Sequence, residues 1–289
     1  MSENHESESD RTFSPASKLD SLSEQQKKEV ESQSRPNAAL IHETIRAEGE
    51  SELERKAWAL ILSGLAAGLS MGFSLVVQGA FHAHLSPGPT RTLLSPLGYT
   101  VGFLIVVLGR QQLFTENTLT PILPLLHNRD VSTLVRVIRL WVLVLAANVV
   151  GTWLFAAAVA NTSVFEPSLQ DAFAELSRHT LEDSFAPTFM RAIFAGWLIA
   201  LMVWLLPPAE GSRPLIIMIV TYVVGLCGFA HIIAGSVECA FLVLTGEASF
   251  GDFLIRFFWP TLLGNIVGGT ALVAALNYGQ VVPEAEGAE

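Results

Sequence analysis

The sequence predicts an all-α membrane protein: six transmembrane helices in two inverted three-helix repeats, with helices 2 and 5 broken. Three observations carry that prediction. Only 15% of the 289 residues are charged and 51% are hydrophobic, whereas soluble domains hold about 25% charged residues. The charges are crowded into residues 1–56 and one later loop, which leaves long apolar runs between short polar connections. Two apolar runs are interrupted by polar residues, and a short motif recurs once in each half of the chain.

Residues 1–37 are rich in Ser, Glu, Asp and Lys with few apolar positions, the composition of a disordered tail. The start is acidic rather than basic then apolar, unlike a cleaved signal peptide. Over residues 38–56, Ile41, Ile45 and Leu53 sit among charges, the pattern of an amphipathic helix lying on a membrane surface. The channel domain then occupies residues 57–278, and residues 279–289 form a second short tail.

A span needs about 20 mostly apolar residues. The first runs from Ala57 to Ala80 without a charge. The second runs from Leu94 to Leu108, is interrupted at Gly109-Arg110-Gln111-Gln112, and resumes from Thr118 to Leu126. The third covers Leu134 to Val159, and the fourth Phe189 to Leu206, stopped by Pro207-Pro208. The fifth starts after Pro214, breaks around Gly228-Phe229-Ala230-His231, and resumes from Ile232 to Leu244. The sixth runs from Phe253 to Asn277. The N-terminal tail and the 127–133 and 207–214 loops carry most of the loop Arg and Lys, so both termini are expected in the cytoplasm. The opposite side offers Arg91 and Arg178 beside an acidic 161–188 loop.

The repeat reads Ala147-Asn148-Val149-Val150-Gly151-Thr152 near the end of the third span and Gly264-Asn265-Ile266-Val267-Gly268-Gly269 in the sixth. An offset of 116 superposes the two breaks and sets Thr115 opposite His231. Three spans per half make the halves inverted, and matching broken helices in an inverted repeat point to a pathway at mid-membrane. Unwound backbone survives in a bilayer only when buried in protein or lining a wet cavity. The breaks supply Phe114-Thr115 and Phe229-His231, read here as two apolar constrictions around a small polar chamber. A histidine at that depth is costly to charge; as a neutral ring it still donates a hydrogen bond or passes a proton.

Other chemistries find little support. The two cysteines, Cys227 and Cys239, have no metal-ligand spacing, and no metal or cofactor is expected. There is no H-E-x-x-H, no Ser in a Gly-rich elbow and no paired aspartates in the spans, so an enzyme is not expected. No basic patch with interleaved aromatics points to nucleic acid. Gly64, Gly68 and Gly72 recur on one face of the first span and suit close helix packing. His82 and His84 are placed in a solvated loop.

These motifs resemble those of the formate/nitrite transporter family over about residues 57–278, this chain being a divergent member with a long N-terminal tail. The family's second-span loop, G-A-[DE]-L-[FY]-T-[GS]-N, is matched by Leu113-Phe114-Thr115 and Asn117. Its Gly-Phe-x-His core followed by Ile-Ala is matched by Gly228, Phe229, His231 and Ile233-Ala234. Its Pro and Gly-Asn-Ile-x-Gly-Gly are matched by Pro260, Gly264, Asn265, Ile266, Gly268 and Gly269. The resemblance implies an aquaporin-like protomer in a homopentamer of a bacterial inner membrane, with one pore per protomer. It also implies that Phe114 and Phe229 form constrictions and that His231 faces the pore.

The departures concern the permeant. Arg110-Gln111-Gln112 replaces the family's Gly-Ala-acidic triplet, and Glu116 follows Thr115. Gly196 stands where several members carry a pore Asn, and Glu238 lies two turns beyond His231. An unpaired charge at bilayer centre costs at least ~2.5–3.5 kcal/mol, so Arg110 is expected to pair with Glu116 or Glu238. Arg191 and Arg256 are expected to reach the interface. The expected cargo is a small monovalent anion such as formate, nitrite or a related weak acid, moved passively or with a proton. A neutral-solute or cation channel, and a non-conducting scaffold, stay open as alternatives.

Overall fold

The computed structural model describes residues 23, 37–274 and 279; the expected tails fall outside these. Residues 38–274 are helices joined by short turns, without a strand among the described residues. Helix α1 (Ala38–Glu54) precedes α2 (Ala57–His84), α3 (Pro89–Leu108), the short α4 (Ile122–Asn128) and α5 (Val131–Asn161). Then follow α6 (Pro167–Arg178), α7 (Phe185–Leu205), α8 (Arg213–Leu226) and α9 (Ile232–Leu244). The last helix, α10, alternates α turns (Phe250–Asp252, Trp259–Ile266) with π turns (Phe253–Phe258, Val267–Ala274). Four helices, α2, α3, α5 and α7, are long and apolar enough to cross a bilayer, whereas α8 and α9 are shorter apolar pieces.

Local chemistry sets the ends. Asp130 caps α5 by accepting from the Thr133 amide, and Pro89, Pro167 and Pro214 fall in first turns, where no amide partner is lost. Helix α2 continues through His84, past the expected stop at Ala80. His82 is therefore helical and lies 3.0 Å from the Glu175 carboxylate. The acidic 161–188 segment is not simply a loop: Leu169, Phe173 and Leu176 give α6 an apolar face. Phe173 is buried against Phe165 and Phe241 at ring distances of 5.4 and 6.0 Å.

Glycines bring the helices together. A Cβ on Gly68 of α2 would stand 2.1 Å from the Asn148 carbonyl oxygen of α5, and one on Gly151 would stand 2.6 Å from that of Leu65. The second half repeats the contact: a Cβ on Gly196 of α7 would stand 2.3 Å from the Asn265 carbonyl oxygen of α10. Gly196 is thus the counterpart of Gly68 in a helix crossing. This corrects its expected place in the chamber wall, since the backbone of α10 fills the space a side chain would need. Gly264 and Gly268 pack against α7 in the same way, and Pro260 is buried where the π turns of α10 give way to an α turn. Outward faces carry Trp58, Leu62, Val142, Leu154, Ile255 and Trp259 in the open, an apolar exterior suited to lipid or to another copy.

Candidate functional site

Two interruptions face each other inside the bundle. After Leu108 the chain turns at Gly109-Arg110, where Arg110 adopts φ 50°, and the Gln111 amide reaches back to the Val106 carbonyl at 3.0 Å. After Leu226 it turns at Cys227-Gly228, where Gly228 adopts φ 62°, and the Phe229 amide reaches the Val224 carbonyl at 3.0 Å. Arg110 therefore occupies the left-handed position that its counterpart fills with glycine, a conformation costing a side-chain-bearing residue roughly 1–2 kcal/mol.

An asparagine holds each interruption. Asn148 accepts from the Phe114 amide at 2.9 Å and donates to the carbonyls of Gly64 and Gln112 at 2.7 and 2.9 Å. Asn265 accepts from the Ile232 amide at 2.9 Å and donates to the carbonyls of Ala192 and Ala230 at 2.8 and 2.9 Å. The bonding fixes the internal register: 110 matches 228, 111 matches 229, and 114 matches 232. The offset is two residues greater than that read from the sequence, so Leu113, buried in the core, is the counterpart of His231.

Thr115 is instead the partner of His231. Its Oγ1 lies 2.8 Å from the histidine Nε2, and the two residues are 0% and 2% exposed. The Ala234 amide donates to Nδ1 at 3.2 Å, which leaves the proton of a neutral imidazole on Nε2. Nε2 then donates to the Thr115 hydroxyl, whose own hydrogen remains available to a third group. Phe103 sets its ring edge-on to the imidazole at 4.9 Å, and Tyr99 lies one turn earlier on the same face of α3. Sequence reasoning did not single out either aromatic; their i, i+4 spacing beside a break was the available signal.

Two cavities lie near this pair. The larger, ≈ 730 Å³, is lined by Glu48 and Glu52 of α1, by Arg55 just after it and by Arg110, Gln111 and Glu116 of the first interruption, among others. The smaller, ≈ 250 Å³, is lined by Tyr99, Thr180, Arg191, Phe229, His231 and Glu238, among others. His231 lines the smaller cavity, and Thr115 lines neither, although its chain neighbour Glu116 lines the larger.

The expected pairing of Arg110 with Glu116 or Glu238 is not formed. Arg110 bonds Glu48 of α1 and opens on the large cavity, while Glu238 accepts from the Thr180 hydroxyl and lines the small one. The two charges line different cavities. Gln112, in place of the family's acidic residue, donates to Glu52 at 3.0 Å and accepts from Asn117 at 2.9 Å. Glu52 also accepts from Thr120 at 2.5 Å. Burial holds its carboxyl above the usual carboxylate range, with the Thr120 and Gln112 bonds pulling the other way. The Asn117 carbonyl accepts from the Trp141 indole at 2.7 Å.

The two phenylalanines differ in setting. Phe229 lines the small cavity and stacks on Phe194 at 5.2 Å, whereas Phe114 is buried edge-on against Trp141 at 5.9 Å. Arg191 pairs with Asp183 at 2.9 Å at the edge of the small cavity, and Arg256 lies 3.9 Å from Asp252. No cluster of three or more His, Cys, Asp or Glu side chains suited to a metal occurs among the described residues.

Comparison with known proteins gives a consistent result. The model of the formate/nitrite transporter family matches residues 39–279. The inner membrane protein YfdC of Escherichia coli strain K12 is 42% identical over 254 residues, covering 88% of this chain and 82% of that one. The formate channel BtFdhC of Bacillus thuringiensis is 26% identical over 243 residues, covering 81% and 91%. Among solved structures, a pentameric formate channel with formate bound superposes with a TM-score of 0.67 at 22% identity, covering 78% of this chain and 97% of that one.

Proposed function

Because the chain belongs to the formate/nitrite transporter family, we propose that it passes small monovalent anions of weak acids, formate and nitrite among them, across a bacterial inner membrane. On this reading it crosses the membrane six times, with both termini in the cytoplasm, and assembles as a homopentamer with one pore per protomer. The relatives named for formate transport and the pentameric formate channel of the same fold support the cargo and the assembly.

The observation that carries the reading is the buried hydrogen bond between Thr115 and His231, with His231 in the lining of one cavity and Glu116, the residue after Thr115, in the lining of the other. A permeant crossing from one cavity to the other must part the pair, and both groups then offer it a hydrogen bond. The neighbours Phe103, Phe114 and Phe229 are apolar, so these two hydrogen bonds replace little of an ion's hydration. Moving a bare charge to mid-membrane costs several kcal/mol, and carrying a proton removes most of that cost. The path therefore favours a weak acid crossing in its neutral form, with His231 assisting the proton directly or through water.

Proteoliposome uptake of formate and nitrite, set against ammonium, urea and glycerol at several pH values, tests the proposal. The acid anions should enter, faster as the outside pH falls, while the other three move no faster than in protein-free vesicles. Anion flux indifferent to outside pH removes the proton linkage. Ammonium or urea flux without formate flux replaces the anion reading with that of a cation or neutral-solute channel, which the carboxyls Glu116 and Glu238 favour. No movement of any of the five supports a non-conducting scaffold.

A further inference from the structure

Glu116 is the residue on which the departures from the family pattern converge. It follows Thr115 directly and lines the larger cavity, so its carboxyl is one residue from the Thr115–His231 pair. Its Oε1 is buried and accepts no hydrogen bond. Gln111 Oε1, in the lining of the same cavity, is a second buried oxygen without a partner. Unpartnered buried acceptors are uncommon in folded proteins and call for a reason.

The other groups of the cavity do not supply one. Glu48 is engaged by Arg110, and Glu52 accepts from Thr120 and Gln112. The charged side chains facing the cavity are Glu48 and Glu52 from α1, Arg55 just after it, Arg110 and Glu116 from the interruption, and Arg213 from α8. Three carboxyls thus meet three guanidiniums, a balance that leaves a positive charge to draw an anion in whenever one carboxyl holds a proton. What the cavity lacks beside Thr115 is a hydrogen for two acceptor oxygens. An ionised carboxylate or nitrite brings none, whereas the protonated acid brings one.

We propose that Glu116 is the proton-exchange residue of this pore, sharing a single proton with the permeant as it enters or leaves the large cavity. The assignment rests on the anion-transport reading above. For a carboxylate arriving from the cavity, the O–H bond of the Glu116 acid breaks and its electron pair stays on the glutamate. A new O–H bond forms on the permeant, which moves on as the neutral acid. A hydronium ion from the solution that the cavity faces then gives a proton to Glu116 and is left as water. In the other direction, the neutral acid passes its proton to the Glu116 carboxylate and leaves as the anion. Exchange at the large cavity then falls to Glu116, which leaves His231, in the lining of the small cavity, to assist the proton on that side.

The test measures formate flux and coupled proton movement in proteoliposomes of wild type, Glu116→Gln, Glu116→Asp and Glu52→Gln, with pH varied separately on each side. Glu116→Gln keeps the size of the side chain and loses the exchangeable proton. It should lower proton-coupled formate flux tenfold or more, within the range that positioned proton transfer contributes. It should also flatten the dependence on the pH of the compartment that the large cavity faces. Glu116→Asp should restore that dependence, and a pentamer peak equal to wild type establishes that each variant assembles. Unchanged flux and pH profile in Glu116→Gln overturn the assignment while leaving anion transport standing. An equal loss in Glu52→Gln overturns it too, since removing charge from the cavity then suffices. A wild type that passes no formate at any pH removes the anion-transport reading and this assignment together.

Discussion

Asn148 and Asn265 perform the same task in opposite halves of the molecule, each tying one interrupted helix to its bundle through three hydrogen bonds. Four of the backbone groups they bond, the Phe114 and Ile232 amides and the Gln112 and Ala230 carbonyls, lie where the interruptions leave the main chain without helical partners. The other two, the Gly64 and Ala192 carbonyls, belong to α2 and α7. A buried backbone group left unmatched costs about 1–3 kcal/mol. Asn148→Ala and Asn265→Ala should each destabilise the protein by about 3 kcal/mol or more, read as a fall in thermal unfolding in detergent. Asn148→Asp keeps the acceptor for Phe114 and loses both donors, so it should be harmful as well. A mild effect at either asparagine contradicts the shared role.

The crossing of α7 and α10 leads to a second prediction. Gly196→Asn should not create a pore donor, because its Cβ meets the Asn265 carbonyl at 2.3 Å. It should fail to assemble, as should Gly68→Ala at the equivalent crossing in the first half, where the distance is 2.1 Å. Normal assembly of Gly196→Asn with altered selectivity would return that position to the pore wall.

Arg110 carries backbone strain that Gly228 avoids at the matching position. Arg110→Gly should relieve roughly 1–2 kcal/mol. It loses an exposed ion pair with Glu48 that is worth about 0–1 kcal/mol. The net expectation is a gain of about 1 kcal/mol in thermal or denaturant stability. Gly228→Ala should lower stability. Loss of stability in Arg110→Gly shows that the guanidinium does more than its geometry indicates.

Glu52 gives α1 a pH dependence. Its carboxyl is held above the ordinary value of 4.5 in the docked helix, so docking takes up a proton. The contribution is fully present below about 4.5 and is lost as pH rises through the raised value. Hydrogen exchange of α1 amides should accelerate over that rise after correction for intrinsic rates, and Glu52→Gln should remove the extra slope. Slowing with rising pH reverses the sign and contradicts the account.

Much of this architecture is legible in the sequence, and the exceptions have physical causes. The breaks at Arg110 and Gly228 show as polar or glycine interruptions in apolar runs, and the paired asparagines show as a repeated motif. The register between halves does not. An offset of 116 aligned the two polar residues Thr115 and His231, whereas the backbone aligns Leu113 with His231 and leaves Thr115 to meet it in space. Composition matched the two residues because they share a chemistry, and symmetry separates them because they come from opposite sides. Gly196 misled for a related reason: a glycine at an expected pore position reads as lost function until the α10 backbone beside it is seen. Arg110 and Glu238 read as partners in the sequence because each is a charge near a break, yet they line different cavities, with Glu48 and Thr180 as their partners. Helix α6 was hidden by the acidic residues around its short apolar face.

The most direct test of the central claim is formate flux through wild type and His231→Asn in matched proteoliposomes, across a range of external pH. The amide keeps a hydrogen-bonding group near Thr115 and removes the imidazole from the lining of the smaller cavity. The account predicts formate flux in wild type that rises as outside pH falls, and a tenfold or greater loss of that proton-linked component in the variant. Equal flux and equal pH dependence in both would place the conducting path away from the Thr115–His231 pair.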